Sequence, residues 1–248
     1  MITYHPKLSM IIPFYNEEEN VERVVLELQQ VLEKEQIKYE LILVNNGSTD
    51  KTGWLLDDLA KRNSGIKVIT VSINHGYGWG IINGLRWACG DYLGFMGGDG
   101  QIDPSDVSKV FNTLLEGKYH LCKVNRCQRE DGPIRKLTSH IFNRAFVYTF
   151  KVNVGDINGS PKIMSRTCYE QLNLCAKDWF LDAEVILKSQ YLNFSIGEVP
   201  VAFHRRMGGH SSVRIRTVWE FIKNMAFYRK RGVFYESSDF MWGKRDPA

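Results

Sequence analysis

The sequence predicts an α/β fold in which a mostly parallel, Rossmann-like sheet is flanked by helices and followed by a C-terminal amphipathic helical extension. Two observations predict the sheet: short, continuous apolar runs recur, and segments with apolar residues at helical spacing separate them. Continuous apolar strands separated by helices are typical of a parallel sheet that is covered on both faces. A third observation, a basic helical pattern near the C-terminus, predicts the extension.

The predicted elements alternate regularly in the first half of the chain and less regularly afterwards. Apolar runs predict strands over residues 8–13, 39–44, 66–72, 91–96, 160–165 and 194–203. Apolar residues at helical spacing predict helices over residues 17–33, 51–62, 80–88, 138–150, 181–191 and 214–231. The apolar face predicted for the last helix consists of Ile215, Val218, Trp219, Ile222, Met225 and Ala226. We therefore expect one α/β domain over residues 1–211, followed by a basic amphipathic helix and tail over residues 212–248.

The composition is that of an ordinary globular protein. The chain has 248 residues, of which 44% are hydrophobic and 24% are charged, and these values argue against disordered and fibrous classes. No apolar run reaches the ~18 residues that a membrane-spanning helix needs, and the N-terminus lacks the pattern of a signal peptide. Five cysteines without a C-x-x-C pair fit free thiols in a reducing cytosol better than a zinc site. We therefore expect a cytoplasmic protein.

Positive charge is concentrated near the C-terminus. The formal net charge is +4, and residues 212–231 alone carry six cations and one anion. Aromatic residues accompany these cations, and this combination suits peripheral contact with an anionic surface at the inner face of the membrane. The alternative is that the apolar face of this helix packs on the domain or on a second subunit, which would make a homo-oligomer. Nucleic acid is not an expected partner, because the positive charge is confined to one element and no known binding motif is present.

Two polar loops that follow predicted strands carry side chains suited to ligand binding. In a parallel sheet, ligands bind beyond the carboxyl ends of the strands. Segments 45–50 and 97–103 would meet there and form one cleft. In the second segment, Asp99, Gln101 and Asp103 carry oxygen atoms at alternate positions, and such atoms are ligands for Mg²⁺ and Mn²⁺. A polar turn without a metal explains the same pattern.

Three further motifs have both a chemical and a structural explanation. Residues 75–80 are rich in glycine but match neither the dinucleotide-binding fingerprint nor a P-loop, so a flexible turn is the alternative. Asp182 and Glu184 lie two residues apart and would point in different directions on a helix, and Asp182 also fits a helix N-cap. Residues 204–212 form a basic, glycine-rich segment in which Arg206 suits phosphate binding, the alternative being solvated surface.

Taken in order, these motifs resemble those of the family 2 glycosyltransferases of the GT-A fold, and within them the dolichyl-phosphate mannose synthase-like group and its bacterial polyprenyl-phosphate relatives. The resemblance runs from about residue 8 to residue 212. The segments that carry it are 12–17 (IPFYNE), 44–50 (VNNGSTD), 74–76 (NHG), 96–101 (MGGDGQ), 125–126 (NR), 156–159 (DING), 180–184 (FLDAE), 196–201 (IGEVPV) and 203–211 (FHRRMGGHS).

The resemblance implies a nucleotide-sugar site and a set of residues that form it. It assigns donor binding to Pro13, Tyr15, Glu17, Val44, Asn46, Asn74, Gly76, Gly97, Gly98, Asp99, Gln101, Arg126, Arg135 and Arg206. It assigns catalytic roles to Asp182, Glu184, Asp99 and Arg206. A Mg²⁺ or Mn²⁺ ion is assigned to Asp99 and Gln101, and the expected donor is a UDP-, GDP- or other nucleotide-sugar.

The chain departs from the family pattern at two places. Asn45 and Asn46 replace two acids, which retains hydrogen bonding to a ribose or base but alters the base preference. Gly97 replaces the first aspartate of the D-x-D motif, so Asp99 is the only carboxylate left at its core. We expect weakened metal binding, with the donor diphosphate supplying most ligands or with arginines neutralising the diphosphate without a metal.

The resemblance implies an inverting glycosyltransferase, which moves a sugar from a nucleotide diphosphate to an acceptor. A polyprenyl phosphate is already an anionic nucleophile, whereas a lipid-linked or free saccharide needs a base, for which Asp182 ranks before Glu184. The alternative is a non-catalytic or weakly active homologue that binds a nucleotide-sugar in the same cleft, and the degenerate D-x-D motif favours it. A nucleotidyltransferase is less favoured, because its glycine-rich N-terminal signature is absent.

Overall fold

The structure, a computed structural model, describes residues 5–129, 133–203 and 215–234. Its strands are β1 (Leu8–Phe14), β2 (Tyr39–Asn46), β3 (Ile66–Val71), β4 (Tyr92–Phe95), β5 (Leu121–Arg129), β6 (Lys162–Ser165) and β7 (Ile196–Phe203). Its helices are α1 (Val21–Lys34), α2 (Thr52–Arg62), α3 (Tyr77–Leu85), α4 (Pro104–Glu116), α5 (Pro133–Phe150), α6 (Arg166–Leu172), α7 (Leu181–Tyr191) and α8 (Ile215–Arg231). All predicted elements are present, and α4, β5 and α6 are additional to them.

The strands form one seven-stranded sheet in the order β3-β2-β1-β4-β6-β5-β7. β1 pairs in parallel with β2 and β4, β2 with β3, and β5 with β7. β6 lies between β4 and β5 and is antiparallel to both. The sheet is therefore mostly parallel, as predicted, with one reversed strand among those that the structure describes.

Helices cover both faces of the sheet. Because alternate strand residues point to opposite faces, Ile11 and Ile42 belong to one buried cluster, whereas Met10 and Leu41 belong to the other. The first cluster includes residues of α3, α5, α6, α7 and α8, and the second includes residues of α1, α2 and α4. β1 and most of β2 are buried on both sides, which explains their continuous apolar runs.

Helix α4 begins directly after segment 97–103, in which the sequence placed alternating candidate metal ligands. Asp103 is its N-cap, and the side chain accepts a hydrogen bond from the backbone N–H of Ser105 at 2.8 Å. Pro104 lies in the first helical turn, where its missing N–H costs nothing. The buried apolar residues of the helix are Val107, Val110, Phe111 and Leu114. Asp103 therefore serves as a helix N-cap, and this role accounts for an aspartate at position 103 without metal binding.

Helix α8 packs against the domain through a face that differs from the predicted one. The side chains that turn inward are Phe221, Asn224, Met225 and Tyr228. Ile222 is 51% exposed and Ala226 is also exposed, so the predicted apolar face is wrong at these two positions. Because the polar residue Asn224 points towards the domain, the buried face of α8 is shifted by one position from the face that apolar residues alone predict. Of the predicted face, the side chains of Ile215, Val218 and Trp219 lie outside the described part of the chain.

The outward sides of α5 and α8 combine cations with exposed hydrophobic side chains. The two helices pack together through Phe142 and Phe221, whose ring centroids are 4.3 Å apart. The exposed hydrophobic residues on them are Ile141, Tyr148 and Ile222. The exposed cations of α8 are Lys223, Arg229, Lys230 and Arg231. None of the helices in the described ranges is long and apolar enough to cross a bilayer.

Candidate active site

Three loops meet beyond the carboxyl ends of β1, β2 and β4, which is the edge where ligands bind in parallel sheets. The loop after β1 is tied to the loop after β2, because the backbone N–H of Thr49 donates to Asn16 Oδ1 at 2.8 Å. The loop after β4 packs on the end of β1, since a Cβ added to Gly98 would lie 2.6 Å from the Phe14 ring. The loops after β2 and β4 therefore flank the end of β1, which is the convergence that the sequence predicted.

Asn46, at the end of β2, is only 3% exposed. Its Nδ2 donates to the carbonyl O of Gly76 at 3.0 Å and lies 3.5 Å from Asn74 Oδ1. Asn74 Oδ1 also accepts the backbone N–H of Gly76 at 2.8 Å. These acceptors fix the orientation of the Asn46 amide, and a carboxylate at this position would face two of them. Asn46 Oδ1 is buried and has no hydrogen-bond partner among the described residues, so it is an unsatisfied acceptor at this edge of the sheet.

The glycine-rich segment 75–80 forms the start of α3 and packs closely on both sides. A Cβ added to Gly80 would lie 2.9 Å from Asn46 Nδ2 and 3.2 Å from Pro13 Cβ. Gly76 has a φ of 121°, a conformation that favours glycine, and a Cβ there would lie 2.6 Å from the carbonyl O of Lys177. The glycines therefore allow close packing of backbone around Asn46, and the flexible-turn alternative does not describe this segment.

The segment after β4 offers one carboxylate. Asp99 Oδ1 accepts the backbone N–H of Gln101 at 3.2 Å, and Gln101 is 7% exposed. A Cβ added to Gly97 would meet only Asp99, with Oδ1 at 3.6 Å, so position 97 has room for a side chain. Within the described ranges, no group of three or more His, Cys, Asp or Glu residues is placed to hold a metal ion. A divalent ion at Asp99 would therefore depend on oxygen atoms of a bound ligand, as Mg²⁺ sites commonly do.

Beside this segment lies a cluster of mostly buried charges, in which Lys123 and Lys162 belong to no sequence motif and Glu198 is partly exposed. Lys123 and Lys162 face each other across β5 and β6, and both side chains are fully buried. The cluster consists of three ion pairs, Lys162–Asp182, Lys123–Glu198 and Arg126–Asp156. Each cation is thus matched by a carboxylate, which is what charges in a low-dielectric interior require.

Arg126 lies within this ion-pair cluster, with a side chain that is 11% exposed. Its guanidinium binds both carboxylate oxygens of Asp156, with Nη2 donating to Oδ1 at 2.8 Å. Burial alone would raise the pKa of Asp156, but the Arg126 guanidinium together with Lys123 and Lys162 outweighs burial and holds the pKa at about 2. Arg126 is therefore occupied by a carboxylate in this structure, and its contact with a donor diphosphate stays a prediction.

Asp182 points into the same cluster and is 4% exposed. Burial raises the pKa of Asp182, against the opposing effect of Lys162. Burial likewise lowers the pKa of Lys162 to about 8. Lys162 Nζ also donates to the carbonyl O of Gly159 at 2.7 Å. Each of the two side chains therefore stabilises the ionised form of the other against the effect of burial.

Tyr77, the first residue of α3, lies between the ion-pair cluster and the segment after β4. Burial together with the charges of Asp182 and Asp99 raises the pKa of the Tyr77 hydroxyl well above its usual value. Its ring stacks on Trp179, with the centroids 4.5 Å apart and an interplanar angle of 9°. Asp99 and Asp182 thus both lie close to one phenol, which no sequence motif identified.

Asp182 and Glu184 point in different directions, as their spacing on a helix predicts. Helix α7 begins at Leu181 with Phe180 as its N-cap residue. The side chain that accepts the backbone N–H of Phe180 is that of Asp178, at 2.8 Å. The alternative that Asp182 is an N-cap is therefore wrong, because Asp182 already lies inside the helix.

Glu184 holds three parts of the chain together. It is fully buried and pairs at 2.7 Å with Lys188, one turn further along α7. Its carboxylate accepts the backbone N–H groups of Cys175 and Ala176 at 3.0 and 2.8 Å. The hydroxyl of Tyr228 in α8 donates to it at 2.9 Å. These contacts give Glu184 a structural role. A catalytic role for Glu184 stays a prediction.

The remaining residues of the predicted donor site differ in accessibility. Tyr15 is 44% exposed, whereas Val44 is fully buried and can reach the cleft only through its backbone. Glu17 accepts a hydrogen bond from Asn20 Nδ2 at 2.6 Å. The predicted site residues that lie outside the described part of the chain are the side chain of Arg135 and the whole of Arg206, with the segment 204–212 around it.

The fold and the site define an α/β protein of the Rossmann-like class, whose candidate ligand site lies at the carboxyl edge of its sheet. The chain belongs to glycosyl transferase family 2, whose family model matches residues 9–172. Its fold is the GT-A fold that the sequence predicted.

Curated relatives match parts of the chain at moderate identity. An undecaprenyl-phosphate 4-deoxy-4-formamido-L-arabinose transferase of Photorhabdus laumondii is 29% identical over 175 residues, which cover 68% of this chain and 52% of the relative. The protein of the same name from Proteus mirabilis is 30% identical over 152 residues, which cover 60% of this chain and 46% of the relative. The chain thus spans about half the length of the curated relatives it matches.

A solved structure of similar fold is that of glucosyl-3-phosphoglycerate synthase from Mycobacterium tuberculosis, in complex with Mn²⁺, UDP and phosphoglyceric acid. The superposition has a TM-score of 0.70, and it covers 90% of this chain and 78% of the other. The two sequences are 18% identical, so the likeness concerns the fold alone.

Proposed function

We propose that this protein is an inverting glycosyltransferase that moves a sugar from a nucleotide diphosphate to a lipid phosphate or a saccharide. The observation that carries the proposal is Asn46 Oδ1, a buried acceptor without a protein partner among the described residues, at the carboxyl edge of the sheet. Membership of glycosyl transferase family 2 supports the reaction class. The names of the undecaprenyl-phosphate transferases that it resembles support a lipid phosphate as acceptor.

The donor would lie across the ends of β1, β2 and β4. Asn46 Oδ1 would accept a hydrogen bond from the nucleoside, next to the loops whose close packing Gly76 and Gly98 allow. Asp99 and Gln101 would hold a Mg²⁺ or Mn²⁺ ion together with the diphosphate. Such an ion offsets the negative charge that develops on a leaving diphosphate.

The acceptor determines whether a base is needed. A lipid phosphate is already anionic, whereas a saccharide hydroxyl has to lose its proton to a base during transfer. Asp182 is the candidate base, and Lys162 would keep its buried carboxylate ionised. A lipid acceptor would also bring the protein to a membrane surface, for which the basic outward side of α8 is the candidate contact.

Calorimetric titration with UDP, GDP, CDP and dTDP, with and without Mn²⁺, tests the donor site. We expect one nucleotide to bind with a micromolar dissociation constant and to bind more tightly when Mn²⁺ is present. Asn46→Asp is expected to weaken that binding by about tenfold, because its carboxylate would face the carbonyl O of Gly76 and Asn74 Oδ1. Absence of binding to all four nucleotides would contradict the proposal.

A second candidate function is that of a nucleotide-sugar-binding homologue with little or no turnover. Gly97 and the single carboxylate at the D-x-D position favour it. Gly97→Asp distinguishes the two, because position 97 has room for a side chain next to Asp99. A large gain in both Mn²⁺ affinity and sugar transfer would indicate a decayed enzyme, whereas unchanged or lower transfer would indicate a site adapted to one carboxylate.

Two alanine substitutions control for the added carbon atom in this test. Gly97→Ala adds a Cβ where only Asp99 is near, so nucleotide affinity should stay at the native value. Gly98→Ala adds one that would lie 2.6 Å from the Phe14 ring and 2.9 Å from the carbonyl O of Pro13. The second change should therefore destabilise the protein, by ~1–3 kcal/mol in urea unfolding.

A further inference from the structure

We infer that Asn224 and Tyr228 of α8 are positioning residues for the donor site, which they hold in place through residues 173–180 and the glycine-rich start of α3. The inference rests on the proposed function, because it concerns the affinity of that same site for a nucleotide. Helix α8 lies outside residues 9–172, the part of the chain that the family model matches.

The first step is that helix α8 makes polar contacts with the segment 173–180, which we call the connecting loop, and with Glu184 of α7, just beyond that loop. The hydroxyl of Tyr228 donates to Glu184 Oε1 at 2.9 Å, and Asn224 Nδ2 donates to Asp178 Oδ2 at 2.7 Å. Tyr228 is 2% exposed and Asn224 is 9% exposed. Because residues four apart on a helix share a face, α8 presents one donor to the connecting loop and one to the α7 carboxylate that holds the loop.

The second step is that the same two carboxylates hold the backbone of the connecting loop. Glu184 accepts the N–H groups of Cys175 and Ala176, and Asp178 accepts the N–H of Phe180. Loss of the Tyr228 hydroxyl would leave the buried Glu184 with an unmet hydrogen bond, and loss of the Asn224 donor would do the same to the partly buried Asp178. The conformation of the connecting loop therefore depends on α8.

The third step is the close contact between the connecting loop and the start of α3. The backbone N–H of Trp79 donates to the carbonyl O of Lys177 at 2.8 Å, and Lys177 Nζ lies 4.5 Å from the centroid of a Trp79 ring. A Cβ added to Gly78 would lie 2.3 Å from the carbonyl O of Ala176. Because the two segments are closely packed at this contact, a displacement of the connecting loop has to move the start of α3.

The last step connects α3 with the donor site. The carbonyl O of Gly76 accepts Asn46 Nδ2, and this contact fixes which side of the Asn46 amide is presented as an acceptor. A shift of Gly76 would release the amide to rotate, and the ligand would then meet a donor as often as an acceptor. Asn224 and Tyr228 thus act on the donor through three successive contacts, without touching it.

The test compares nucleotide affinity with stability in a set of α8 variants. Asn224→Asp would place a carboxylate against Asp178, and we expect nucleotide affinity to fall by about tenfold. Adding Asp178→Asn to that variant reverses the direction of the hydrogen bond and should restore the affinity. Tyr228→Phe, which removes only the hydroxyl, should weaken binding in the same direction. Met225→Ala removes an apolar contact of the same helix and serves as the control, with lower stability and unchanged affinity.

Each variant is titrated calorimetrically with UDP, GDP, CDP and dTDP in the presence of Mn²⁺, and its thermal unfolding is recorded. Native affinity in both Asn224→Asp and Tyr228→Phe would overturn the inference while leaving the proposed function intact. Equal weakening in Met225→Ala, or no recovery in the double variant, would also overturn it, because the effect would then follow general loosening of α8. If the native protein binds none of the four nucleotides, the proposed function fails together with the inference.

Discussion

Lys162 and Asp182 form a buried pair in which each side chain compensates the charge of the other. Lys162→Met would leave a carboxylate without its counter-ion, so the free energy of unfolding should fall by ~3–5 kcal/mol. Adding Asp182→Asn removes the remaining charge, and most of the loss should be recovered. Urea unfolding at neutral pH measures both effects.

Lys188 offers a matched control for this prediction, because it forms the same kind of buried pair with Glu184. Lys188→Met should destabilise the protein by a similar amount, but Asp182→Asn should not rescue it. Rescue of both lysine variants by the one aspartate change would contradict the pairing.

Asp156 should make stability depend on pH in the acid range. Its pKa is about 2 in the folded protein, below the value of 3.8 for a free aspartate. A lowered pKa in the folded state stabilises the protein above the unfolded pKa, and this contribution of ~2 kcal/mol is lost as the pH falls from about 4 to about 2. Asp156→Asn should remove this part of the pH dependence, as measured by urea unfolding at a series of pH values. An unchanged acid profile would show that Arg126 does not stabilise the ionised carboxylate.

At the scale of secondary-structure elements, two variants near the start of α4 distinguish helix capping by Asp103 from metal binding by Asp99. Asp103→Ala removes the N-cap of the helix, so stability should fall by ~1 kcal/mol while nucleotide affinity in Mn²⁺ stays unchanged. Asp99→Ala should have the opposite effect, with weakened nucleotide binding and little change in stability. Thermal unfolding and calorimetry on the two variants check this contrast, and a loss of affinity in Asp103→Ala would make Asp103 a ligand.

Most elements could be predicted from hydrophobic spacing, and the exceptions have physical causes. The predicted helix over residues 181–191 coincides with α7, and the strands of the parallel half lie within a few residues of their predicted bounds. α4 carries an N-cap and a proline at its start, but these are features of single residues and not of apolar spacing. The apolar face of α8 was wrong at Ile222 and Ala226 because Asn224 turns inward to bind Asp178, a partner 46 positions away.

The candidate site could be predicted only where a residue belongs to a motif. Asn46 and Asp99 belong to such motifs, and the structure places both at the predicted edge of the sheet. Lys162 and Tyr77 escaped prediction because their importance comes from partners elsewhere in the chain, Asp182 and Trp179. Spacing along one segment carries no information about such pairs, since they form only when the sheet has assembled.

At the scale of the whole molecule, the basic outward side of α8 predicts binding to anionic vesicles. Co-sedimentation should show binding to vesicles of phosphatidylcholine with phosphatidylglycerol, little binding to phosphatidylcholine alone, and a decline with added salt. Neutralising the last three cations of α8 with Arg229→Gln, Lys230→Gln and Arg231→Gln should reduce binding. Three exposed lysines outside α8 provide the control, through Lys34→Gln, Lys61→Gln and Lys118→Gln. Equal loss in both triple variants would indicate that net charge alone is responsible.

Residues 156–162 span the gap between two of the buried ion pairs. Asp156 is held at one end by Arg126, Lys162 enters β6 at the other, and the N–H of Gly159 donates to the carbonyl O of Asp156 at 3.1 Å in between. An inserted residue would break one pair or slip β6 by one position, which turns its side chains to the opposite face of the sheet. The contacts at its two ends therefore fix the length of this segment. During evolution, insertions and deletions should accumulate in other turns while the length of this segment stays the same.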